Sequence, residues 1–163
     1  MKTLFLVRHA KSSWEHFGLS DFDRPLNDRG NEDAPTMGKY LRSLDIKPDL
    51  ILSSPAKRAI TTANIIAKEI AYTKAIQTDQ GIYHAGVGEL LLILNELDNI
   101  QNSIMMVGHN PGFTGFSNNL TGDFIDNMPT CSVCQIAFDL DNWSKVTFGS
   151  GRTIFFQYPK GLS

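Results

Sequence analysis

Nothing in this chain of 163 residues approaches the roughly 20 consecutive apolar residues that a membrane span requires. The apolar run near its start, Leu4-Phe5-Leu6-Val7, is about half the length of a secretory signal core. With 15 basic against 17 acidic residues there is no surplus of positive charge, which argues against nucleic acid or a membrane surface as partner. A soluble, cytoplasmic protein is the expectation. There is no internal repeat, low-complexity tract or linker-like break, so residues 1–163 are read as a single domain. Cysteine is scarce: Cys131 and Cys134 form one C-x-x-C with no second pair and no following His pair. In a strand pattern Cys134 shares parity with Ile136 and Phe138 while Cys131 falls on the other face, so both read as core rather than as a zinc or redox site.

What the chain does have is a repeated alternation of short apolar runs and helical patterns. The runs Leu4–Val7, Leu50–Leu52 and Ile104–Val107 are continuously apolar, as in parallel strands buried on both faces. Helices are predicted over Asp28–Leu44, with Asn27 as N-cap and Pro35 imposing a kink or a separate first turn. Others are predicted from Ser54-Pro55 onward, with Ser54 as N-cap and Pro55 at the first helical position, over Glu89–Leu97, and from Pro111 to near Gly122. Toward the end Cys131–Leu140, Lys145–Phe148 and Arg152–Tyr158 read as strands joined by turns. The expected fold is a three-layer α/β/α domain whose mainly parallel, mixed sheet gains antiparallel pairing late.

Ligands of such sheets sit beyond the carboxyl ends of the strands. The first run ends in Arg8-His9-Ala10, the second in Ser53-Ser54-Pro55 just before Arg58, and the third in Gly108-His109-Asn110-Pro111-Gly112. Taken singly each is ordinary: a surface histidine, a strand-end charge, a turn glycine. Together they bring Arg8, His9, Arg58 and His109 to one rim. That set suits phosphoryl transfer, because guanidinium groups bind phosphate oxygens bidentately. A helix opening at Pro55 would add its positive end. A neutral imidazole among them is a competent nucleophile. The arginines supply the charge stabilisation for which other phosphoryl-transfer sites use magnesium, so neither metal nor cofactor is called for.

The segments Val7-Arg8-His9-Ala10-Lys11-Ser12, Ser53-Ser54-Pro55-Ala56-Lys57-Arg58-Ala59-Ile60-Thr61-Thr62-Ala63 and Val107-Gly108-His109-Asn110-Pro111-Gly112 resemble, in that order, the three motifs of the histidine phosphatase superfamily, which includes the phosphoglycerate mutases. The resemblance runs from residue 3 to about 115, and it implies the phosphoglycerate mutase-like fold. Within the superfamily, the RHAKS start, the segment Asp23-Arg24-Pro25-Leu26, the GHNPG motif and the small size are similar to the SixA-type phosphohistidine phosphatases. That resemblance implies His9 as nucleophile, Arg8, Arg58 and His109 as phosphate pocket, and Arg24 as a substrate contact.

Phosphomonoester hydrolases of the superfamily usually carry an acidic general acid on a loop between the domain halves. Here the matching stretch, Gly81–Glu89, is short, and its one acid, Glu89, falls where a helix begins. His84, Asp21 and Asp23 are the other candidates. Imidazole leaves a phosphoramidate far more readily than an alkoxide leaves an ester, so a weak acid favours a P–N bond. The expected partner is a phosphorylated protein carrying phosphohistidine. The alternatives are a phosphatase of small phosphomonoesters and a module that binds phosphate without turnover.

Overall fold

The computed structural model of the protein describes residues 1–162. Its sheet has six strands: β1 (Lys2–Arg8), β2 (Leu50–Ser53), β3 (Gln77–Thr78), β4 (Ser103–Gly108), β5 (Val133–Phe138) and β6 (Gly151–Gln157). Their spatial order is β3-β2-β4-β1-β5-β6. The first four run parallel, and β5 and β6 add antiparallel pairs along the β1 edge. The helices are α1 (Asp28–Ser43), α2 (Lys57–Glu69), α3 (Val87–Asn95) and α4 (Gly112–Thr121).

The continuous apolar runs are explained by two cores, one on each face of the sheet. Leu4, Leu6, Leu52, Ile104 and Met106 point to the face covered by α3 and α4, where they meet Leu90, Leu94, Phe113 and Phe116. Phe5, Val7, Ile51, Met105 and Val107 point to the face covered by α1 and α2, against Met37, Leu41, Ala63 and Ile66. Each Leu, Ile, Val, Phe or Met among them, fully buried, contributes about 1.5–3 kcal/mol. Alternation along the strand therefore feeds both faces, and the three-layer α/β/α arrangement follows.

Asn27 does cap α1, its side chain accepting the Gly30 N–H, and the helix runs through Pro35 with no separate first turn. Leu44 ends that helix exposed rather than in the core. Gly122 closes α4 in the left-handed conformation that glycine adopts freely. Helix α3 starts two residues earlier than the sequence suggests.

Two further expectations fail. Lys145–Phe148 is not a strand. Trp143 opens a single 3₁₀ turn, Trp143–Lys145, and is fully buried. Its indole donates to the Gln101 carbonyl and its backbone N–H to Asn99, which holds the segment on the α3 side and out of the sheet. The helix after β2 begins at Lys57, not at Pro55. Ser54 instead accepts the Ala56 N–H in a turn that precedes the helix.

Both cysteines are buried and unpaired with each other, Cys134 in the α3–α4 core and Cys131 in the α1–α2 core. Burial pushes the Cys131 thiol up to about 12.

Candidate functional site

The strand order β2-β4-β1 makes the three chain segments of interest immediate neighbours. Beyond the end of β1, the His9 N–H donates to the Gly108 carbonyl at 3.0 Å; beyond β2, the Ser54 N–H donates to the Val107 carbonyl at 2.9 Å. The parallel ladders thus continue one step past the strands and fix the heights at which His9, Ser54 and His109 emerge. The rings of His9 and His109 lie 5.2 Å apart.

His9 is buried, and its Nδ1 lies 2.7 Å from the carbonyl oxygen of Ala10. A carbonyl only accepts, so Nδ1 carries the proton and, in the neutral ring, Nε2 carries the lone pair. The Ala10 backbone is itself fixed by its N–H donating to Thr62 Oγ1, which in turn donates to the Arg58 carbonyl. One hydroxyl on α2 therefore ties the β1 terminus to the helix that carries Arg58. Burial, opposed by the hydrogen bond to Ala10 and reinforced by the charges of Arg58, Arg8 and Arg24, lowers the His9 pKa to about 4. Burial and the neighbouring His9 and Arg58 lower that of His109 to about 3. Both rings are neutral at pH 7.

Each guanidinium is anchored by hydrogen bonds. Arg8 donates from Nη1 to the Met128 carbonyl at 2.8 Å. Arg58 donates from Nη1 to the Asp21 carbonyl at 2.6 Å and from Nη2 to the Asp21 carboxylate at 3.0 Å. Arg24 donates from Nη1 to Ser12 Oγ at 2.7 Å and from Nε to Asp21 at 3.1 Å, with its guanidinium 3.5 Å above the Trp14 ring. His109 is held through Nε2, 2.7 Å from Ser54 Oγ. Left buried without a partner are Arg8 Nε, Arg58 Nε and His109 Nδ1. Buried polar groups of this kind are rare in folded proteins.

Arg8, His9, Arg24, Arg58 and His109 line one cleft of about 220 Å³ together with Lys11, Ser12, Trp14, Asn110 and Thr130. A second cleft of about 390 Å³ shares Arg58, His109 and Asn110 and extends to Asp21, His84, Gly86 and Pro111. The structure thus brings together all four strand-end residues and Arg24 as well. Such a surface, cationic, shaped and floored by a neutral imidazole, can hold a phosphoryl group and attack it.

The acidic candidates separate. Asp21 contacts the site through its bonds to Arg58, Arg24 and Tyr83. Asp23 faces away to accept from Ser20, and Glu89 lies exposed in the first turn of α3. His84 stands at the rim of the second cleft with a left-handed backbone, stacked 4.0 Å from Tyr83. Among the described residues no group of three or more His, Cys, Asp or Glu could hold a metal ion. No helix among them is long and apolar enough to cross a membrane.

Sequence reasoning missed Ser54 as the partner of His109, Thr62 as the tie between β1 and α2, and Asn110. The last donates to the Met128 carbonyl that also receives Arg8. Ser54 and Asn110 stand inside the motifs, but nothing in their spacing announces these bonds.

The sequence model of the histidine phosphatase superfamily (branch 1) matches residues 4–91. An uncharacterized chloroplastic protein of Arabidopsis thaliana is 31% identical over 92% of this chain and 72% of its own. Among solved structures, the putative phosphohistidine phosphatase SixA from Agrobacterium tumefaciens superimposes with a TM-score of 0.83 at 26% identity, covering 97% of this chain and 98% of that one. The protein histidine phosphatase SixA complexed with tungstate gives 0.85 at 20% identity, with 99% of both chains covered.

Proposed function

Since this chain belongs to the histidine phosphatase superfamily (branch 1), we propose that it is a phosphatase and hydrolyses phosphohistidine on proteins through a phosphorylated His9, residues 1–163 acting as one domain. The observation that carries the proposal is the Nδ1–Ala10 contact, which leaves Nε2 as the nucleophilic atom of a neutral ring set among three guanidiniums.

In this reading the phosphoryl group binds between Arg8, Arg58 and His109, with Arg24 a further contact. The Nε2 lone pair of His9 forms the new N–P bond while the substrate P–N bond breaks; the electron pair returns to the substrate ring, whose other nitrogen carries a proton, so imidazole departs neutral. Water then attacks phosphorus, His9 recovers its lone pair, and inorganic phosphate departs. Both steps concentrate charge on the phosphoryl oxygens, which preorganised guanidiniums stabilise more strongly than water does.

The choice of P–N over P–O bonds is supported by the state of Asp21. Burial alone would raise its pKa, but hydrogen bonds from Tyr83 and Arg58, the charge of Arg58 and the bond from Arg24 together hold the carboxyl far below the usual range. An acid that stays ionised cannot protonate an alkoxide. A phosphohistidine ring takes its proton from solution near pH 7 and so leaves as neutral imidazole without that help. The test is a comparison of kcat/KM on a phosphohistidine peptide, a phosphoserine peptide and a sugar phosphate, each in EDTA. The phosphohistidine peptide is expected to exceed the others by a factor of 100 or more, on the order of what an absent general acid is worth. A preference for the sugar phosphate overturns the substrate class, and no turnover on any of them overturns the phosphatase reading.

A further inference from the structure

One residue outside the three motifs touches two arginines of the phosphoryl cleft and a tyrosine beside it. The Asp21 carboxylate accepts from Arg58 Nη2 at 3.0 Å, from Tyr83 Oη at 2.6 Å and from Arg24 Nε at 3.1 Å, while its backbone carbonyl accepts from Arg58 Nη1 at 2.6 Å. We propose that Asp21 is a positioning residue: it grips the terminal edge of Arg58 and the side edge of Arg24, aligning both guanidiniums for a phosphoryl group that it does not itself touch. The inference rests on the phosphatase reading given above.

Three features favour alignment over simple surface pairing. Arg58 is bound at both terminal nitrogens by one residue, so neither its rotation nor its tilt is free, whereas its buried Nε–H is left without a partner. A guanidinium held on one edge still presents donors on another. The three donors also come from three separate elements: α2 (Arg58), the loop before α3 (Tyr83) and the chain between β1 and α1 that carries both Asp21 and Arg24. Asp21 opens a 3₁₀ turn, Asp21–Asp23, on that chain. Finally, Tyr83 packs edge-on against His109 with ring centres 5.5 Å apart, so the same carboxylate steadies the ring neighbour of the second histidine.

Three guanidiniums outnumber the one carboxylate, so the cleft remains cationic and Asp21 does not repel a phosphoryl group outright. The opposite role is nonetheless physically distinct: a carboxylate that competes with phosphate for Arg58 would have to be displaced before substrate could bind. The two roles differ in sign for phosphate affinity.

The experiment measures kcat, KM and inorganic phosphate binding by calorimetry for wild type, Asp21→Ala and Asp21→Asn, and repeats the Asp21→Ala change in an Arg58→Ala background. Melting temperatures are recorded for each. A loss of alignment by about an ångström lowers kcat by about 10- to 100-fold in Asp21→Ala, with KM changing less. Asp21→Asn keeps one acceptor and recovers part of that loss. Phosphate binding weakens several-fold in Asp21→Ala, roughly as far as one charge-assisted hydrogen bond accounts for. In the Arg58→Ala background the same change costs only a few-fold, since groups acting as a unit are not additive. Tighter phosphate binding in Asp21→Ala overturns the proposal in favour of competition. An equal factor in both backgrounds, tracking melting temperature alone, overturns it in favour of a structural role. If no variant and no wild type turns over any substrate, the phosphatase reading fails, yet weakened phosphate binding in Asp21→Ala still upholds the alignment of Arg58.

Discussion

The ring of His9 donates from Nδ1 to the carbonyl of its own neighbour, Ala10, at 2.7 Å. A histidine tethered to the backbone in this way cannot swing, and it offers one nitrogen only. If Nε2 carries the phosphoryl group, His9→Ala abolishes both turnover and acid-labile radiolabelling from a phosphorylated substrate. His109→Ala lowers the rate but leaves labelling detectable, because it removes a phosphate contact and not the nucleophile. Near-normal turnover by His9→Ala would contradict the mechanism.

The pH profile follows from the same burial. His9 titrates near 4 in the folded protein against about 6.5 when exposed. The acid limb of kcat/KM is therefore expected near pH 4, well below an ordinary histidine. Stability moves with it. Between pH 6.5 and about 4 the unfolded chain binds protons that folded His9 and His109 refuse, so stability falls as the pH falls through that window and is flat above it. Urea midpoints at pH 7.5, 6 and 4.5 measure the slope, and replacing both histidines by Ala is expected to flatten it.

Arg58 and Arg24 are expected to differ in the kinetic constant they affect. Removal of one preorganised donor from such a site typically lowers the rate by about 100- to 1,000-fold, so Arg58→Ala falls mainly on kcat. Arg58→Lys keeps the charge but loses the edge that Asp21 grips and recovers little. Arg24, reached from the outer chain and resting on Trp14, acts chiefly on KM. Arg58→Ala with kcat within a few-fold of wild type removes Arg58 from the mechanism.

Gly30 offers a test of how the site is braced from behind. It lies in the first turn of α1, where a Cβ would collide with the Lys11 carbonyl that also accepts the Asn27 N–H. Gly30→Ala is expected to destabilise by about 1–3 kcal/mol, as overpacking does, and to displace the residues just after His9. A melting temperature equal to wild type would show that α1 can shift without resistance.

The architecture was legible because its signals are of the kind that sequence carries. Continuous apolar runs mark strands covered on both faces, and Asn27 and Gly122 mark helix ends by their own chemistry. Arg8, His9, Arg58 and His109 could be placed on one rim because parallel topology alone brings strand ends together. The residues that hold them could not. Asp21 and Tyr83 are 62 positions apart and meet only after the chain folds. Ser54 looked like a helix cap because Pro follows it, but its hydroxyl is turned toward His109 and the helix starts later. Lys145–Phe148 alternates like a strand, yet the burial of Trp143 against α3 outweighs that local pattern.

The two sulfurs lie in separate cores, on opposite sides of the sheet. Phosphatases built around a cysteine thiolate are silenced when peroxide oxidises that sulfur. In this chain the reacting atom would be a ring nitrogen, and the thiols are protonated and out of reach of oxidants. If His9 is the nucleophile, turnover is expected to persist at peroxide levels that arrest thiol-dependent phosphatases.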